Sequence, residues 1–169
     1  MGIALVVRHA HASGNAEHRF IGQQDVPLDD LGRAQTEALT QRLRALPVLR
    51  IVSSDLRRAI DTIAPTAARL GLTVKTDVRL REINNGEWTG RLPVEIAKDW
   101  PDLWTTYVAG ADVPRPGGET WAAVRQRAVN AIEEYASDDG LIVLCTHGGP
   151  SLNLAAWAAA RVAFPDRRA

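Results

Sequence analysis

The sequence predicts an α/β fold, a three-layer sandwich with a mainly parallel central sheet flanked by helices. Three observations predict it. Short apolar runs at residues 3–7, 51–52 and 141–146 are rich in Val, Ile and Leu, as strands buried on both faces are. Segments with apolar residues at helical spacing lie between these runs, so strand and helix alternate. No internal repeat, low-complexity segment or linker interrupts the alternation. Residues 1–169 are therefore expected to form one domain, long enough to bury a real core.

The elements follow in order. Residues 3–8 form the first strand, with Arg8 and His9 at its carboxyl end, the edge where open α/β sheets bind ligands. Residues 12–30 are polar, with Gly14, Gly22 and Pro27, and read as a long loop. A helix is predicted over 31–46, with Asp29 or Asp30 as N-cap and Pro47 as its stop. Residues 51–54 form a second strand. A helix over 55–70 follows, capped by Asp55, closed by Gly71 and kinked or divided at Pro65. Residues 72–76 read as a third strand. Two short helices are expected near 94–98 and 102–108, and Pro114, Pro116, Gly117 and Gly118 make a turn. The helix over 119–136 has the clearest apolar stripe, through Trp121, Val124, Ala128, Ile132 and Tyr135. Residues 141–146 form a strand that runs into His147-Gly148-Gly149, and 151–162 is an apolar helix.

Charge and composition narrow the function classes. Lys and Arg number 20, as do Asp and Glu, so no global field draws the chain to nucleic acid or a membrane surface. Anion binding must be local. Cys145 is the only cysteine, so no internal disulfide forms, which favours a reducing compartment. No charged-then-apolar leader is visible, and no apolar run approaches a membrane span. The expectation is a cytoplasmic protein.

Two buried strands thus end in histidine. Two arginines, Arg57 and Arg58, follow the second strand, and the carboxylates Glu82 and Glu87 follow the third. Arginine forks beside helix N-termini are what a phosphate group requires. On their own these residues leave alternatives open. His9 could be a satisfied core histidine, and His147 could serve only a tight strand-to-helix turn. Only one of the adjacent Arg57 and Arg58 can point inward, and either Glu82 or Glu87 could supply the carboxylate. His9 and His11 form an H-x-H pair, but Ala12-Ser13-Gly14 adds no ligand, so no metal is expected. Trp88 and Trp121 read as packing residues. Trp100 and Trp104 could line a substrate cover, and His18 and Arg19 lie in the long loop.

Arg8-His9, with Asn15 and Gly22 after it, resembles the phosphate-pocket signature of the histidine phosphatase superfamily, in its phosphoglycerate mutase-like branch. Ser53-Ser54-Asp55-Leu56-Arg57-Arg58-Ala59 is similar to its second motif. Leu80-Arg81-Glu82 with Gly86-Glu87-Trp88-Thr89-Gly90 is similar to its acid/base segment. Pro116-Gly117-Gly118-Glu119-Thr120 and Thr146-His147-Gly148-Gly149 resemble two later markers. The markers stand in family order over residues 5–149.

The resemblance implies the fold, here with a shortened C-terminal end, and a covalent mechanism without cofactor or metal. His9 is implied as the nucleophile that becomes phosphohistidine. Arg8, Arg58 and His147 are implied to clamp the phosphoryl oxygens, with Asn15, Gly22 and Gly148 adding binding contacts. Glu82, rather than Glu87, is implied as the general acid and then the general base. The implied activity is hydrolysis of a small phosphorylated metabolite. The alternatives are a mutase-type phosphotransferase, a protein (phosphohistidine) phosphatase or a non-catalytic phosphate-binding domain. Glu82 and His147 lie 65 positions apart, a shorter separation than in the mutases, which favours hydrolysis.

The sequence also departs from the family. Ala10 stands where many members carry glycine, and Ile21 where a polar residue is common. Only 20 residues follow Gly149, where relatives continue with further strands. The sheet is then smaller, or a partner subunit covers the gap, or the chain is truncated. An uncovered edge strand invites pairing, so a homodimer is one expectation.

Overall fold

The structure is a computed structural model and describes residues 2–13, 18–136 and 139–163. Four strands, β1 (Ile3–Arg8), β2 (Val48–Ser53), β3 (Val74–Thr76) and β4 (Leu141–Thr146), form one sheet in the order β1-β4-β2-β3. Every pairing is parallel. β4 lies inside the sheet because its run is apolar on both faces. Ile142 and Leu144 pack with Ala128, Ile132 and Tyr135 of α5 (Trp121–Tyr135) and Leu154 of α6 (Gly148–Ala163). The alternate residues, Val143 and Cys145, pack with Leu43 of α1 (Asp30–Leu43) and Ala59, Ile63 and Ala67 of α2 (Arg57–Leu70). Period-two alternation thus divides one strand between two cores and gives three layers. Fully burying a Val or Leu side chain stabilises by about 1.5–3 kcal/mol, and both cores share that gain along β4.

Local chemistry sets the element ends. The Asp29 carboxylate accepts from the Gly32 N–H and caps α1. The helix ends at Leu43, a turn before the predicted boundary. α2 starts at Arg57, two residues later than predicted, because the Asp55 side chain pairs with Arg81 instead of capping. Pro65 does not divide α2, which runs through it to Gly71, a left-handed residue at φ 68°. The missing Pro65 N–H costs one ladder bond without ending the helix. β2 begins earlier than predicted, at Val48, with a register shift against β4 between Val48 and Arg50. α3 (Pro93–Asp99) and α4 (Pro101–Val108) both start on proline, which suits a first helical position. Thr120 caps α5, and the Asp112 carboxylate accepts from the N–H groups of Trp121 and Ala122. α6 starts at Gly148, so the two glycines after His147 belong to the first turn of the helix.

Parallel pairing brings the strand ends to one edge. Arg8 is in register with Thr146, and Ser53 with Cys145. Residues His9, Ser54 and His147 therefore leave the sheet side by side. Among the described residues, no helix is long and apolar enough to cross a membrane. Within the tail singled out above, residues 164–169 lie outside the described residues.

Candidate active site

His9 leaves β1 with its backbone N–H on the Thr146 carbonyl at 2.8 Å, which ties the two histidine-bearing strand ends together. Its Nδ1 donates to the Ala10 carbonyl at 2.7 Å, and its Nε2 accepts from Arg58 Nε at 3.3 Å. These bonds select the tautomer protonated on Nδ1, with the lone pair on Nε2. Burial, with smaller contributions from Arg58 and Arg8, lowers the His9 pKa to about 4. The ring is neutral at pH 7.

Arg58 is nearly inaccessible on the first turn of α2. Its Nη1 donates to the Gln24 carbonyl at 2.7 Å and its Nη2 to the Gly22 carbonyl at 2.6 Å. Three directed bonds lock the guanidinium. Gly22 makes this arrangement feasible, since its φ is 52° and an added Cβ would stand 2.9 Å from the Ile83 carbonyl oxygen. Arg57 is exposed and pairs instead with Asp61, so the structure turns Arg58 inward. Arg8 is exposed at the end of β1, with its guanidinium against Gly148.

His147 lies behind His9, with ring centroids 5.0 Å apart, and is fully buried. Its Nε2 meets Ser54 Oγ at 2.8 Å, while Nδ1 has no hydrogen-bond partner among the described residues. Burial, then the Arg58 charge, holds its pKa well below the ordinary histidine value.

The carboxylate beside these groups belongs to Glu82. Oε1 accepts from the Ile83 N–H at 2.9 Å, and Oε2 from the Gly149 N–H at 3.2 Å on the first turn of α6. The Glu82 carbonyl is held by Gln23 and by Arg127, which also reaches the Arg79 and Arg81 carbonyls. A Glu119 ion pair in turn fixes Arg127. Glu87 is exposed, with its N–H on the Pro116 carbonyl.

Arg8, His9, Gly22, Arg58, Glu82 and Arg115 share the wall of a cavity of about 240 Å³. Sequence reasoning placed all of these at the site except Arg115. Ile21 also lines the cavity, so an apolar side chain stands on the wall where the family commonly carries a polar one. Gly148 contacts Arg8 rather than lining the cavity, and Asn15 lies outside the described residues. His11 pairs with Asp29 at 2.5 Å, and among the described residues no group of three potential ligands could hold a metal ion.

Trp121, expected to be a packing residue, lines the cavity beside Tyr107 and Arg115. Trp88 is buried as expected, inside an aromatic group with Phe20, Trp104 and Tyr107. Arg115 is the residue sequence reasoning missed. Its position before the Pro116-Gly117-Gly118 turn was the available signal.

A neutral imidazole unprotonated on Nε2, a fixed guanidinium group and an anchored carboxylate can together support transfer of an anionic group to nitrogen.

A family model described as histidine phosphatase superfamily (branch 1) matches residues 4–167. A glucosyl-3-phosphoglycerate phosphatase of Mycolicibacterium vanbaalenii is 35% identical over 170 residues, covering 95% of this chain and 74% of that protein. Phosphoglycerate mutase-like protein 4 of Arabidopsis thaliana is 36% identical over 151 residues, covering 86% and 66%. The solved structure of a mycobacterial glucosyl-3-phosphoglycerate phosphatase superposes with a TM-score of 0.79 at 36% identity, over 90% of this chain and 76% of that one.

Proposed function

The chain belongs to the histidine phosphatase superfamily, branch 1, and on that premise we propose that it hydrolyses phosphomonoesters through a phosphohistidine on His9. The observation that carries the reading is the tautomer of His9. Arg58 Nε and the Ala10 carbonyl leave Nε2 with its lone pair, and the ring is neutral at pH 7.

In the first step His9 Nε2 attacks phosphorus and the ester P–O bond breaks. Arg8 and Arg58 offset charge on the phosphoryl oxygens, whereas His147, expected from the sequence to share that role, is fully buried behind His9 and does not line the cavity. Protonated Glu82 gives its proton to the departing oxygen, so an alcohol leaves. In the second step Glu82 takes a proton from water, and the hydroxyl oxygen attacks phosphorus. The P–N bond breaks, inorganic phosphate departs and His9 is restored. The Gly149 and Ile83 amides hold the two Glu82 oxygens in place beside the cavity. The mycobacterial and Mycolicibacterium relatives are named as phosphatases, which favours hydrolysis over transfer.

The test is p-nitrophenyl phosphate hydrolysis with chelator present, for wild type beside His9→Ala. Turnover in the first and its loss in the second is the expected result. Unchanged turnover in His9→Ala overturns the mechanism. Acid-labile, base-stable phosphate on the quenched wild-type enzyme is the expected trace of the intermediate.

A further inference from the structure

Thr62 carries a buried hydroxyl that takes no part in the proposed reaction. It lies on α2, is 1% exposed and does not line the catalytic cavity. Yet it meets the site at two points. Its Oγ1 accepts from the Ala10 N–H at 2.9 Å and donates to the Arg58 carbonyl at 2.6 Å. The polarity of this bridge is forced, because a backbone amide can only donate and a carbonyl can only accept. The single hydroxyl proton goes to Arg58, and a lone pair faces Ala10.

The two residues held in this way are the two that set the state of His9. The Ala10 carbonyl takes the Nδ1 proton, and Arg58 Nε donates to Nε2. Which ring nitrogen of a histidine carries the proton follows from the bond that the other makes. The backbone around His9 is fixed from three sides. The His9 N–H is on the Thr146 carbonyl after β4, the Ala10 N–H on Thr62 of α2, and the His11 N–H on Gln35 Oε1 of α1 at 2.8 Å. The middle amide is thus pinned to the helix that carries Arg58.

The next turn of α2 supplies a contrast. Thr66 is also buried, but its Oγ1 lies 3.0 Å from Thr40 Oγ1 on α1, and Thr40 donates in turn to the Thr36 carbonyl. That chain joins two helices and ends away from His9. Burial requires a hydroxyl at neither position, since valine has nearly the same shape and no polar group to desolvate.

We propose that Thr62 is a positioning residue for the nucleophile, its hydroxyl coupling the Ala10 backbone to the first turn of α2 so that His9 Nε2 stays unprotonated beside Arg58. The kinetic consequence rests on the phosphohistidine reading; the tautomer does not. Removing the hydroxyl frees the Ala10 peptide to turn and weakens the bond to Nδ1. The ring proton then settles in part on Nε2, where it blocks attack on phosphorus.

The experiment compares Thr62→Val with Thr66→Val, two losses of a buried hydroxyl one turn apart. Two-dimensional 1H–15N spectra of ring-labelled protein at pH 7 read the tautomer of His9, identified among the four histidines by its absence from the His9→Ala spectrum. Wild type and Thr66→Val are expected to show Nδ1 protonated. Thr62→Val is expected to show the Nε2-protonated form as well, and to lose about tenfold or more in kcat for p-nitrophenyl phosphate. Thr62→Ser keeps the hydroxyl and is expected to restore both. Thr62→Cys, whose sulfur is a weaker acceptor, serves if the valine variant does not fold. A tautomer left unchanged by loss of the hydroxyl overturns the proposal, as does an equal change in Thr66→Val. Absence of hydrolysis by wild type counts against the phosphatase reading, while the spectra still decide the role of Thr62.

Discussion

Arg58 Nε and His9 Nε2 are 3.3 Å apart, and the arginine donates to the nitrogen proposed to attack phosphorus. The same cation that would bind the phosphoryl group thus also keeps the nucleophile unprotonated. The His9 pKa is lowered to about 4, first by burial and then by Arg58 among the charges. The acid limb of kcat/KM that belongs to His9 is therefore expected near pH 4, not 6.5. Arg58→Met is expected to move that limb upward and to cost roughly 10²–10³ in kcat. A pH profile with p-nitrophenyl phosphate for both proteins checks this, and a wild-type limb at 6.5 would argue against the neutral, buried ring.

The two histidines also tie stability to pH. Both His9 and His147 are lowered below the ordinary histidine value in the folded state. Between pH 6.5 and about 4 the unfolded chain therefore binds more protons than the folded one, so stability falls as pH falls. For His9 the loss is on the order of a few kcal/mol across that window. Asp29, Asp55, Asp77 and Glu119 are lowered too, and their contribution is lost only at more acid pH. Urea unfolding at pH 7 and pH 4.5 is expected to show the drop, and His147→Asn is expected to flatten it.

Glu82→Gln is expected to slow hydrolysis in proportion to the basicity of the leaving group. The loss should reach roughly 10²–10⁴ for alkyl esters and be small for p-nitrophenolate, which departs without a proton. A series of aryl and alkyl phosphates measures the slope. An equal loss across the series would remove the acid role from Glu82.

Gly149 is a sharper probe of the same carboxylate. A methyl group there would meet Glu82 Oε1 and Trp121 Cζ3 at 2.4 and 2.5 Å, so one of them must move. Gly149→Ala is expected to lower kcat for poor leaving groups by about tenfold or more, since small misplacements of a catalytic group are costly. Circular dichroism is expected to show an intact fold.

Arg127 and Glu119 form a partly buried pair whose guanidinium gathers the carbonyls of Arg79, Arg81 and Glu82. Arg127→Met is expected to cost about 2–3 kcal/mol in stability by leaving Glu119 and those carbonyls unpaired. It should also lower kcat more than it raises KM, because the backbone that carries Glu82 loosens. Denaturant titration and steady-state kinetics read the two effects separately.

What could be read from the residues alone follows a physical line. β4 was legible because burial on both faces leaves a continuous apolar run, and the histidines that end β1 and β4 stood out against such runs, although β1 is a half-buried edge strand. The choice of Arg58 over Arg57 and Glu82 over Glu87 needed family motifs, since adjacent or nearby like residues carry no local sign of direction. Arg115 and the Arg127 clamp were not legible. Their partners are aromatic rings and carbonyls brought together by the fold, up to 48 positions away in sequence for Arg127 and the Arg79 carbonyl. Pro65 misled because intrinsic propensity predicts a break where tertiary packing holds α2 together. Asp55 misled because Arg81, distant in sequence, competes for its carboxylate.

The place of β4 inside the sheet bears on how the protein is made. β1 and β2 do not pair with each other; both pair with β4, and Ile3 is in register with Leu141. During synthesis the first two strands emerge long before the one that joins them. A nascent chain ending before residue 141 holds Arg8, His9 and Arg58 but has no strand to align them, and their phosphate pocket cannot assemble. Closing so long a loop costs entropy before any contact repays it, so folding is expected to be slow and to occur late, after most of the polypeptide has left the ribosome.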